Sequence, residues 1–153
     1  MTNNDIIRQL RYALNLTDKQ LVTLFGHTDQ GMTESDAIAL IGKEEEEGTV
    51  PCSDDLLADF LDNLILDRRG PPKEGTSPQI RSEITNNVVL KKIRIALTLH
   101  EGDMLKIIAD GGQPFSKSEL SALFRKPGHK HFRPCGNQLM RAFLRGLTLR
   151  CRT

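Results

Sequence analysis

The stretch "PCSDDLLADFLDNL" at 51–64 returns at 134–147 as "PCGNQLMRAFLRGL", with its large apolar positions still apolar and its acids replaced. Leu56, Leu57, Phe60, Leu61 and Leu64 recur at intervals of three and four residues, which places them on one side of a helix. A shift of 83 residues extends the match well beyond this phrase. Residues 3–70 align with 86–153 without a gap, with identities that include Asn3/Asn86, Asn4/Asn87, Arg11/Arg94, Cys52/Cys135 and Phe60/Phe143. The chain therefore divides into an acidic repeat (1–70), the linker "PPKEGTSPQIRSEIT" (71–85) and a basic repeat (86–153).

Four short helices are expected in each repeat. Asn4 and Asn87 are expected to cap the first. Thr17 with Gln20, Thr33 with Asp36, and Ser116 with Glu119 have capping-box spacing, and Ser53 precedes the fourth helix. No useful strand-like alternation is found. The predicted fold is all-α, a tandem repeat of two four-helix units related by a pseudo-twofold. Apolar and charged fractions of 38% and 27% are those of a soluble globular protein. No apolar run suits a membrane span or a secretory signal, so a cytoplasmic location and no membrane partner are expected. Three cysteines without a CxxC do not make a disulfide scaffold.

Four stretches, "NNDIIRQLRYAL", "CSDDLLADFLDNLILDRRG", "NNVVLKKIRIAL" and "CGNQLMRAFLRGL", resemble the duplicated bacterial YehS-like proteins of unknown function. The resemblance covers both repeats. It implies an all-helical tandem fold in a bacterial cytoplasm, and it carries over no catalytic or binding residue.

A repeat is its own control: shared positions report folding, and diverged ones report function. Residues 3–70 hold fourteen acids and six bases (−8), whereas 86–153 hold four acids and thirteen bases (+9), so the net +1 conceals a strong dipole. On the outer face of the fourth helix Ala58, Asp62 and Asp67 become Arg141, Arg145 and Arg150. In the loop before it, "KEEEEGTVPC" becomes "KPGHKHFRPC", where Lys126, shared with Lys43, is joined by Lys130, His131, Phe132 and Arg133. Cations neutralise phosphates and an aromatic ring stacks on an unpaired base. These eight residues are the candidate nucleic-acid contacts.

Other constellations carry less. His129, His131 and Cys135 form an H-x-H-x3-C string without a fourth ligand nearby, and the first repeat has Glu46, Gly48 and Cys52 there, so no metal site is expected. Cys52 and Cys135 each precede a helix start, where a thiol can be activated, but packing beside Pro51 and Pro134 is the preferred account. Arg11 and Arg94, shared inside apolar helices, could bind an anion, but a structural role is the preferred account. No cofactor motif is present. The expected function is a non-enzymatic binding or adaptor protein whose basic repeat contacts RNA or DNA. Two alternatives stand beside it: a protein–protein module that pairs through opposite charges with itself or another protein, and a cysteine-dependent enzyme.

Overall fold

Hydroxyl side chains set where most of the helices begin. The computed structural model describes residues 1–26, 30–71 and 83–152; the linker at 72–82 lies outside these. The first repeat forms α1 (Asn3–Leu14), α2 (Asp18–Phe25), α3 (Glu34–Ala39) and α4 (Asp54–Arg69). The second forms α5 (Asn86–Ala96), α6 (Glu101–Asp110), α7 (Lys117–Leu123) and α8 (Asn137–Arg152). Among the described residues there is no strand. Thr17, Thr33 and Ser116 each accept from the amide three residues on, while Gln20, Asp36 and Glu119 return a bond to the cap amide. Ser53 accepts from Leu56 N–H at 3.2 Å and starts α4.

The caps of α1 and α5 differ from the expectation. Thr2 and Thr85 occupy them, accepting from Asp5 and Val88 N–H at 3.2 Å. Asn4 and Asn87 lie inside the first turn, and their carboxamides reach across to the loop before the fourth helix. Asn87 accepts from Cys135 N–H at 2.8 Å and donates to Arg133 O at 2.8 Å and Leu123 O at 2.9 Å. The neighbouring Asn3 and Asn86 donate to Cys52 O and Cys135 O. Each fourth helix is thereby hung from the first turn of its own repeat.

Packing then crosses between repeats. α1 lies chiefly against α8, and α5 against α4, so each first helix seats on the other repeat's fourth helix. This reciprocal exchange is what a pseudo-twofold produces. One continuous core results, running from Ile6, Ile7 and Leu10 through Phe60 and Leu64 to Leu90, Ile93, Phe143 and Leu147. Phe60, Leu61, Leu64, Phe143, Leu144 and Leu147 are buried as their spacing predicts.

The two fourth helices are not seated identically. Leu56 is only half-buried although its counterpart Leu139 is buried. Ala58, expected on the outer face, is fully buried, whereas Arg141 in its place is exposed. The cause is the contact each makes with its neighbour. Asn63 spans the gap from α4 to α2 by donating to Leu24 O at 2.8 Å. Gly146, at the same position of α8, lets the α6 backbone come so close that a Cβ there would lie 1.7 Å from Ile107 O.

Candidate nucleic-acid interface

The loop from Lys126 to Arg133 owes its shape to the Asn87 clamp at its end and to turns within it. Arg133 N–H donates to Ala122 O at 3.0 Å, Phe132 N–H to His129 O at 2.9 Å, and His131 N–H to His129 Nδ1 at 3.0 Å. The His129 and His131 rings lie side by side, 5.6 Å between centroids. Both are exposed, as are Lys126 and Lys130, and neither lysine makes an ion pair among the described residues. Phe132 is half-buried and stands outside the core. The Arg133 side chain turns back onto α7: its Nη1 lies 2.6 Å from Glu119 Oε2 and its guanidinium sits 5.2 Å from the Phe115 ring centre. The Arg133 bond, with that from Ser116, holds the Glu119 carboxyl below the usual carboxylate range.

On α8 the three arginines have different surroundings. Arg141 is exposed and makes no hydrogen bond or ion pair among the described residues. Arg145, also solvent-facing, donates from Nε and Nη2 to Gly111 O at 3.1 and 2.8 Å. It thereby satisfies a carbonyl at the C-terminus of α6, where the helix dipole favours a cation. Arg150 bonds Asp103 Oδ1 at 2.9 Å. Asp103 titrates below its ordinary value chiefly because the His100 amide donates to it, with Arg150 adding to the effect. The eight candidates thus form two groups, a loop held on α7 and a helix face held on α6. Lys126, Lys130, His131 and Arg141 project to solvent, while Arg133, Arg145 and Arg150 also brace the fold.

The cysteines do not resemble activated nucleophiles. Cys52 and Cys135 are buried at the helix entries, each Sγ 3.6 Å from the carbonyl of the next residue. Burial, with the nearby Asp54 charge, pushes the Cys52 thiol up to about 12. Burial pushes Cys135 up to about 11 against the opposing pull of Arg133. Both stay protonated near neutral pH. Among the described residues no three His, Cys, Asp or Glu side chains gather as a metal site. His129, His131 and Cys135 therefore do not converge.

A set of cations that sequence reasoning missed is brought together at the seam between repeats: Arg69 from the end of α4 with Lys91 and Arg94 of α5. Sequence separation hides Arg69, but the replacement of Asp5 by Val88 beside the lysine was a readable signal.

Residues 3–70 and 86–153 each match the family described as "Protein of unknown function (DUF1456)". The chain belongs to the DUF1456 family. It is 39% identical over 150 residues to "Uncharacterized protein YehS" of Escherichia coli (strain K12), covering 98% of this chain and 96% of that protein. No solved structure matches. No helix among the described residues of this DUF1456 protein is long and apolar enough to cross a membrane.

Proposed function

We propose that this DUF1456 protein is a non-enzymatic binding protein whose second repeat docks nucleic acid, RNA or DNA, through the loop at 126–133 and the outer face of α8. The carrying observation is the inversion of charge, −8 to +9, between two repeats of one fold. A duplicated core needs no such inversion, since stability comes from the shared apolar faces. Lys126, Lys130, His131 and Arg141 are exposed, and half-buried Phe132 stands among them in the chain. Cations of this kind bind phosphates and an aromatic ring stacks on an unpaired base. Buried, protonated Cys52 and Cys135 favour binding over thiol catalysis.

Fluorescence anisotropy with a single-stranded oligonucleotide at rising salt tests the reading. Affinity should fall steeply with ionic strength. Lys130→Glu with Arg141→Glu should weaken binding and reduce the salt slope by about one for each phosphate left without its cation. Glu45→Lys on the first repeat should leave binding intact or raise it. Arg145 is left untouched because it caps α6. Absence of binding by the unmodified protein at low salt would overturn the reading in favour of association between oppositely charged protein faces.

A further inference from the structure

The two repeats treat one pair of cations in opposite ways. In the first, Arg8 is tied to Asp5 and donates to Ile41 O at 2.9 Å, and Arg11 is tied to Asp18. Both charges are neutralised within the repeat. The corresponding cations of the second are Lys91 and Arg94. Val88 replaces Asp5, and Lys91 makes no ion pair among the described residues. Glu101 replaces Asp18 but forms no ion pair with Arg94. Arg94 instead donates to Leu99 O at 3.0 Å and lies with its guanidinium 4.9 Å from the centre of the Phe124 ring.

The seam beside these cations differs as well. Arg152 of the second repeat lies 4.3 Å over the Tyr12 ring of the first and donates to Tyr12 O at 3.0 Å, while Tyr12 keeps 59% of its surface exposed. Its counterpart Arg69 donates to Thr98 Oγ1 at 2.7 Å, and the smaller, apolar Ile95 stands in place of the tyrosine, 41% exposed. Beside Arg69 and Ile95 is a cleft of about 360 Å³ lined by these two with Lys91, Arg94, Thr98 and Phe124, and with His100 at the start of α6. Arg94 and Phe124 also border a second hollow of about 320 Å³, which contains Arg125 and Glu101.

We propose that this cleft binds a nucleoside phosphate. Three cations and a hydroxyl line a wall that holds no carboxylate, a combination suited to a phosphate dianion. Ile95, Leu99 and Phe124 supply the apolar wall for a planar body. The volume falls within the range of about 300–1,000 Å³ for small-molecule sites and exceeds what phosphate alone would fill. The cleft is separate from the loop and α8 face, so it does not depend on the nucleic-acid reading. A free nucleotide and the phosphorylated end of a strand offer the same chemistry.

Titration calorimetry with adenosine 5′-monophosphate, and anisotropy with a single strand carrying either a 5′-phosphate or a 5′-hydroxyl, distinguishes the two sources. Saturable binding of the nucleotide, or tighter binding of the phosphorylated strand, is the expected result. Lys91→Glu and, separately, Arg69→Gln should weaken it by at least about tenfold, the value of one charge-assisted hydrogen bond. Lys130→Glu should leave the nucleotide affinity and the preference for a 5′-phosphate over a 5′-hydroxyl unchanged even where it weakens both strands, which separates this site from the surface proposed for strands. Lys91 and Arg69 are exposed, so both variants should keep the thermal transition. If neither the nucleotide nor the 5′-phosphate is recognised, or if both variants bind like the unmodified protein, the cleft has no such role.

Discussion

Asn4 offers one carboxamide to three backbone groups. It accepts from Cys52 N–H at 2.7 Å and donates to Val50 O at 3.0 Å and Gly42 O at 3.3 Å, while only 5% exposed. Each buried group left without a partner costs about 1–3 kcal/mol. Asn4→Ala should therefore lower the unfolding free energy by about 3 kcal/mol in a urea titration. Asn4→Asp should do no better, because a carboxylate keeps the acceptor but turns charge toward two carbonyls. A loss below about 1 kcal/mol for the alanine variant would show that the loop is held otherwise. The asparagine pair was plain in the sequence, but its role was not. Asparagine before an apolar run reads as a cap by a local rule, whereas these partners lie 38 to 48 residues away. The true caps, Thr2 and Thr85, are also an identical pair at the same 83-residue shift, and Thr2 falls one place before the aligned span.

Among elements, α6 and α8 make the closest approach. A Cβ on Gly146 would lie 1.7 Å from Ile107 O, and one on Gly111 1.7 Å from Ala142 O. These are backbone atoms, so no side chain can turn aside. Alanine at an open helical position gains up to about 1 kcal/mol over glycine. Gly146→Ala should forfeit that gain and cost about 3 kcal/mol as the helices are forced apart. Gly102→Ala supplies the contrast: nothing stands within 4 Å of its added Cβ, so stability should hold or rise. Guanidinium unfolding of the two variants decides the point, and equal effects would mean that the contact yields freely. Periodicity and capping boxes made most of the helices legible. They could not show that α4 and α8 sit differently, because that rests on Asn63 bridging a gap that Gly146 closes. For the same reason Ala58 and Arg141 share a repeat position but not an environment. The candidate site was legible in its sign alone: exposed Lys130 and Arg141 look no different in sequence from Arg145, which caps a helix.

At the scale of the molecule, the repeats interlock. Seating α1 on α8 and α5 on α4 gives each first helix an apolar face whose partner belongs to the other half. Polar contacts cross the same seam, with Lys92 bound to Asp62, Arg69 to Thr98 and Arg152 to Tyr12. Halves of about 70 residues are already near the lower limit for a self-sufficient core, and removal of the partner helix exposes much of it. Residues 1–70 alone and 86–153 alone should therefore show weak helical circular dichroism without a cooperative thermal transition. Mixing them should restore both, since charges of −8 and +9 favour encounter while the apolar seam supplies affinity. Salt should slow that reassembly more than it weakens the final complex, because long-range steering is screened and buried apolar contact is not. A cooperative, monomeric melt from either half alone would show instead that each repeat closes its own core, and that the seam only joins two finished units.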